Sequence, residues 1–375
     1  MLASPRRDAL LRVCDARTGE IVEGAVHSSA AGQGGHWGAY PLTVAHRIAT
    51  NFSAPLVGAD MAFVSDLPIA AGISSSSALV VATYFVLAAS NDLEQRDEFR
   101  RAIAGRDELA EYLGAVENGL TYHSLAGERG VGTFGGSEDH TAILCGQPGT
   151  VVQYSFCPVR YERTIPLPPD YAFVIASSGV MAEKTGAALD SYNRLAMLAR
   201  AALERWRRAT GRHDASLGDV VRFAGGSADP IVETIRSRSG DSDGFDTGML
   251  EERVRQFAIE SEHLIPAAGE ALLHGALDML AAAVDQSMRN AVEMLHNQID
   301  ETVFLVQRAR ELGAASASAF GAGFGGSVWA LVRKRDGDRL VKQLMGDYRR
   351  RFPRHRDAQA FVTAAAPAAQ RLEAE

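Results

Sequence analysis

Asp66-Leu-Pro-Ile-Ala-Ala-Gly72-Ile-Ser-Ser-Ser-Ser77 runs without a break into the apolar stretch Ala78 to Ala89. The apolar part has the length and residue types of a buried helix, so a serine-rich loop opens a core helix here. Gly72 permits close approach of the backbone to a ligand. The N–H groups of Ile73, Ser74, Ser75, Ser76 and Ser77 at a helix start present the positive end of its dipole to an anion. Four serine hydroxyls add donors and one ligand for a Mg²⁺ ion bridging phosphates. The same residues would equally serve as a plain serine cap on a core helix.

Two further glycine loops lie downstream. Gly130 to Gly135 and Gly321 to Gly326 both match GxGxxG. Context argues against a dinucleotide site, because that fingerprint must follow a strand and open a helix, whereas Gly326 leads into the short β-branched run Ser327 to Val332. GxxxxGK[ST], the protein-kinase HRDxxxxN and DFG signatures and HExxH do not occur. After the first loop, Ser137-Glu-Asp-His140 suits a helix start, where Asp139 would either stabilise the first turn or accept a proton from a hydroxyl. Glu117, near a helix end, is a surface residue or a metal ligand.

Around these loops the chain reads as globular and mixed. Its 375 residues exceed the size at which one core stops growing, so two domains are expected. Residues 1–65 read as short strands, 96–118 as helix, Thr150 to Phe156 and Tyr171 to Ala176 as strands, and Lys184 to Leu312 as mostly helix interrupted at Ser237 to Thr247. The Pro-rich Ile165 to Pro169 marks the expected boundary, giving domains 1–168 and 169–375. The Ala-rich tail from Ala364 is expected to fray. A net charge of -8 argues against a general nucleic-acid binder. Three cysteines without CxxC spacing indicate neither a disulfide framework nor a zinc knuckle. With no signal-like apolar region or spanning segment, the expected compartment is the cytoplasm.

Taken in order, these motifs resemble the GHMP kinases, and most closely the galactokinase branch. Leu67 to Ala78 is similar to the family's ATP phosphate loop, so the resemblance implies nucleotide contacts from Gly72 to Ser77 and Ser76 as a Mg²⁺ ligand. Val116-Glu-Asn118 resembles the family's Glu-Asn pair and implies Glu117 as the second ligand. Gly135-Gly-Ser-Glu-Asp-His140 resembles the segment with the catalytic aspartate, which implies Asp139 as base and Gly136 beside the sugar, with histidine at 140 where glutamine is typical. Asp190-Ser-Tyr-Asn-Arg194 resembles a stretch that offers Tyr192 to the sugar. Phe320 to Val328 resembles the third motif, which packs against the phosphate loop and implies a role for Gly323 at the substrate.

The first motif departs from the family. Galactokinases carry roughly Gly-Arg-x-Asn-x-x-Gly-Glu-His-x-Asp-Tyr, whose arginine assists transfer and whose acidic residues hold sugar hydroxyls. Here Ser28-Ser-Ala-Ala-Gly-Gln-Gly-Gly-His36-Trp-Gly-Ala-Tyr40 keeps only glycines, His36 and Tyr40. Losing a charged clamp changes which sugar is accepted. The resemblance implies a two-domain α/β (α+β) fold, an N-terminal domain like the second domain of ribosomal protein S5 and a ferredoxin-like C-terminal domain. It further implies an ATP- and Mg²⁺-dependent kinase for the anomeric hydroxyl of a sugar other than galactose: a heptose, octose, uronic acid or sugar phosphate. A non-catalytic sugar and ATP sensor, or a kinase for a non-sugar alcohol, stand as alternatives. The expected partners are ATP and a small sugar, with neither nucleic acid nor membrane, in a monomer or homodimer.

Overall fold

The structure, a computed structural model, describes residues 1–26, 36–68, 72–181, 186–237, 244–321 and 323–372. Packing divides the chain into two units. The first comprises 1–69, 74–146 and 367–375, and the second 70–73 and 147–366.

In the first unit, strands β1 (Leu2–Pro5), β2 (Leu10–Asp15), β3 (Ile21–Ala25) and, after helix α1 (Ala39–Asn51), β4 (Ala59–Phe63) form a sheet of order β1-β4-β2-β3. β2 and β4 run parallel, and the other two pairings are antiparallel. Helices α2 (Ser75–Ser90), α3 (Asp97–Ala102), α4 (Arg106–Asn118) and α5 (Glu138–Cys145) complete the unit. Leu11, Val13, Val44, Ile48, Tyr84, Leu87, Tyr112 and Leu113 are buried in one core. Helix α1 corrects the reading of residues 1–65 as mainly short strands with turns. Pro41 sits in its first turn, where a missing N–H costs nothing, and buried Pro41, Val44, Ala45 and Ile48 follow helical spacing.

The second unit begins with the antiparallel hairpin β5 (Thr150–Ser155) and β6 (Arg160–Pro166), followed by β7 (Tyr171–Ser177). A helical run follows: α6 (Gly186–Thr210), α7 (Leu217–Phe223), α8 (Asp229–Arg236), α9 (Thr247–Ile259), α10 (Ile265–Leu273), α11 (Leu277–Glu293) and α12 (Asp300–Glu311). Strands β8 (Ser316–Ala319) and β9 (Ser327–Arg333), helix α13 (Gly337–Arg351) and β10 (Gln359–Thr363) close an antiparallel sheet of order β10-β7-β9-β8. Leu305, Leu344 and Tyr348 pack with Val328, Ala330 and Val332 of this sheet. The proline-rich stretch 165–169 lies inside the second unit, because Ile165 is buried with Ala271, Leu272 and Leu280. Among the described residues, no helix is long and apolar enough to cross a membrane.

The tail does not fray as expected. The Ala369 N–H donates to the Ile143 carbonyl of α5 at 2.8 Å, and Ala369 packs against the first core. Its small side chains let the backbone lie close to that helix.

A π-helical turn, Glu260–Leu264, joins α9 to α10 just before Pro266. Pro266 lacks the N–H that would bond the Glu262 carbonyl, so the ladder is interrupted there. Within this turn, burial pushes the Glu260 carboxyl above its ordinary value. Ser287 Oγ donates to Oε1 at 2.7 Å, while Oε2 is buried without a hydrogen bond. A carboxyl raised on folding leaves stability intact below its unfolded value and removes it as pH climbs through the folded one. Glu260→Gln, which cannot ionise, is expected to raise the melting temperature at pH 7 and to change it little near pH 4. Thermal unfolding at the two pH values checks this.

Candidate active site

The loop before α2 turns through two left-handed residues, Gly72 at φ 68° and Ser74 at φ 63°. A non-glycine residue in that region is costly and concentrates at functional sites. Ser74 is the N-cap of α2 and makes no side-chain cap hydrogen bond. The plain serine cap is therefore not built, and the first-turn N–H groups of Ser75, Ser76 and Ser77, which lack intrahelical partners, stay available to an anion. Gly72 is exposed and Ile73, Ser74 and Ser76 are part-exposed.

Helices α2, α4 and α5 pack on one another. Glu117, in the last turn of α4, is 4% exposed. Ser77 Oγ donates to its Oε2 at 3.2 Å. His140 Nε2 stands 3.2 Å from that same oxygen. A carboxylate at the negative end of its own helix is disfavoured, and the first turns of α2 and α5, which carry Ser77 and His140, supply the opposing dipoles. The adjacent Asn118 serves the backbone: its Oδ1 accepts the Gly135 N–H at 2.6 Å, and its Nδ2 donates to the Gly114 carbonyl at 2.7 Å. This fixes the glycine loop that leads into α5. Asp139, in the first turn of α5, is part-exposed, Gly136 is exposed and Ser137 makes no side-chain cap.

The glycines of that loop are needed for contact. A Cβ at Gly130 would stand 2.3 Å from the Glu117 carbonyl oxygen and 2.5 Å from the Gly119 nitrogen. Both neighbours are backbone, which cannot swing aside. Gly130→Ala is expected to destabilise the first unit by about 1–3 kcal/mol, and chemical denaturation of the variant beside the parent measures it.

In the second unit the third glycine loop is tied by its backbone. Phe324 N donates to the Asn297 carbonyl at 2.6 Å and Gly326 N to the Val180 carbonyl at 3.0 Å. Ser178 Oγ donates to the Gly326 carbonyl at 2.7 Å, and Tyr348 OH to the Ser178 carbonyl at 2.6 Å. Gly323 is buried with φ 81°, and a Cβ there would meet the Asn297 carbonyl oxygen at 2.0 Å. Its position is one of backbone seating. A Cβ on Gly321 would lie 4.0 Å from the Gly72 carbonyl, which puts the loop beside the start of the bend before α2.

Tyr192 is part-exposed on α6 in the second unit. Of the first motif, Ser28 to Gly35 lies outside the described residues. His36 Nε2 pairs with Glu20 Oε1 at 2.7 Å, and Trp37 Nε1 donates to Glu20 Oε2 at 2.8 Å. These contacts, that of Trp37 first, hold the Glu20 carboxyl below its usual range. Tyr40 packs against the first core. Glu20 and the partners of Glu117 escaped the sequence reading: Glu20 sits sixteen positions before His36 with no local pattern, and Ser77 appeared as one serine among four.

Glu117 and a serine hydroxyl are hard oxygen donors, and among the described residues no group of three or more His, Cys, Asp or Glu gathers as an all-protein cage. One carboxylate and one hydroxyl fit Mg²⁺, which takes few protein oxygens when phosphates supply the rest.

Comparison with known proteins bears on the fold. Residues 39–146 match the family model for the GHMP kinases N terminal domain. The chain is 24% identical over 289 residues to a galactokinase of Thermococcus kodakarensis, covering 77% of this chain and 69% of that protein. It is 26% identical over 352 residues to a galactokinase of Chloroflexus aurantiacus, covering 92% and 79%. The crystal structure of Lactococcus lactis galactokinase complexed with galactose superposes with a TM-score of 0.74 at 21% identity, covering 99% of this chain and 86% of that one. The fold is that of a two-domain α/β GHMP kinase.

Proposed function

We propose, from the premise that residues 39–146 are a GHMP kinase N-terminal domain and that the whole chain is galactokinase-like in sequence and fold, that this protein is an ATP-dependent sugar kinase. The observation that carries the reading is the uncapped first turn of α2, preceded by left-handed Gly72 and Ser74, whose Ser77 hydroxyl donates to the buried Glu117.

Gly72 and the N–H groups from Ile73 to Ser77 hold the polyphosphate of ATP by dipole and hydrogen bond. Ser76 and Glu117 would hold Mg²⁺, which when bound would supply charge neutralisation to the polyphosphate. Asp139 accepts the proton of the acceptor hydroxyl as its oxygen forms the new bond to the γ-phosphorus. The bond from that phosphorus to the β–γ bridging oxygen breaks, and ADP leaves. Gly136, His36 and Tyr40 of the first unit and Tyr192 and Gly323 of the second are the residues assigned to the acceptor.

The acceptor is a monosaccharide or sugar derivative, phosphorylated at its anomeric hydroxyl. Galactose is not the favoured substrate. The first motif lacks the arginine and the acidic sugar ligands, and His36 and Trp37 are occupied by Glu20. The protein acts in the cytoplasm as a monomer or homodimer. ADP release against C6 to C8 sugars, uronic acids, sugar phosphates, mevalonate and homoserine, with ³¹P NMR of the product, tests the reading. A sugar 1-phosphate is expected. Sugar binding without ADP release would make the protein a sensor, and turnover of mevalonate or homoserine alone would move it to another GHMP class.

A further inference from the structure

His140 has no place in the transfer step, yet it is 1% exposed and stands next to the proposed base. Neither ring nitrogen makes a hydrogen bond to a described residue. Its Nε2 lies 3.2 Å from Glu117 Oε2, off the hydrogen-bond direction. From the other side Ser77, also 1% exposed, donates its hydroxyl to that oxygen. Two buried polar groups from two different helices thus converge on one oxygen of one carboxylate. The Ser77 hydroxyl is committed inward, away from the phosphate-facing turn.

A buried carboxylate is retained only where polar partners offset its desolvation. Groups that hold a ligating carboxylate also fix which way its other oxygen faces, and their loss costs roughly 10–100-fold in metal affinity. The geometry points to Ser77 and His140 as positioning residues that brace Glu117 through Oε2, so that its carboxylate is set for the divalent cation before nucleotide arrives. This rests on the reading of Glu117 as a metal ligand. It assigns the second, third and fourth serines of the loop different duties: Ser75 offers its first-turn N–H to phosphate, Ser76 faces the ion and Ser77 orients the ion's carboxylate.

Mn²⁺ serves as the probe, because electron paramagnetic resonance counts the free ion in the presence of a non-hydrolysable ATP analogue without any turnover. Ser77→Ala and His140→Ala are expected to weaken Mn²⁺ binding by about 10–100-fold, and His140→Ala to leave analogue affinity in the absence of metal unchanged. His140→Gln, which keeps an N–H near the position of Nε2, is expected to recover most of the loss. A lowered melting temperature with parental Mn²⁺ affinity would make both residues merely structural and overturn the inference. If His140→Ala does not fold, Ser77→Ala decides, since it removes a single oxygen from the core. Glu117→Gln separates this inference from the reading beneath it. Should Glu117→Gln abolish Mn²⁺ binding while both supports can be removed without effect, only the brace is wrong. Should Glu117→Gln bind Mn²⁺ like the parent, the metal-ligand assignment itself fails.

Discussion

Asp139→Asn is expected to lower kcat by about 10²–10⁴-fold while ATP affinity stays within about twofold of the parent. The amide matches the carboxylate in size and still accepts a hydrogen bond, but it cannot take a proton at neutral pH. Asp139 is part-exposed in the first turn of α5, and the loop ahead of it is anchored by Asn118 on Gly135 rather than by its own carboxylate. Removing its charge therefore costs only the modest first-turn dipole term, about 0.3–1 kcal/mol, and the variant should fold. Steady-state ADP release, together with calorimetric ATP binding, separates the two quantities. Parental turnover would remove Asp139 from the chemistry.

The second large effect concerns the metal. Ser76→Ala combined with Glu117→Gln is expected to raise the Mg²⁺ concentration for half-maximal turnover by roughly 100-fold or more, since both proposed oxygen ligands are lost. Glu117→Gln keeps the shape of a side chain that is 4% exposed. It also keeps an oxygen able to accept from Ser77 Oγ, so the packing of α2, α4 and α5 is preserved. A Mg²⁺ titration of turnover at saturating ATP checks this, and an unchanged curve would reject the pair as ligands.

The loops proposed to carry chemistry were legible in the sequence because their signals are local. A serine run entering an apolar stretch, a Gly-Gly pair before Ser-Glu-Asp, and a glycine loop entering a β-branched run each mark one turn of backbone, and each is found where it was read. Helix α1 was missed because glycines ahead of it and Pro41 at its start look like loop chemistry. Its core stripe of Val44, Ala45 and Ile48 is short and shared with strand patterns. The long-range pairings were not legible. Nothing in the order of residues tells that Ser77 meets Glu117 forty positions away, or that Glu20 occupies His36 and Trp37. Such contacts are set by how helices and strands pack, and packing has no short-range signature.

One strand of backbone near the end of the chain has a consequence for biosynthesis. The first unit is assembled from residues 1–69, 74–146 and 367–375, and the Ala369 amide closes on the Ile143 carbonyl of the helix that bears Asp139. A ribosome that has released the first 146 residues has made nearly all of that unit, yet residues 147–366 must follow before the closing piece emerges. Helix α5 thus acquires this backbone partner only once residue 369 has emerged, and a nascent chain stalled before residue 367 would expose that flank to chaperones and proteases.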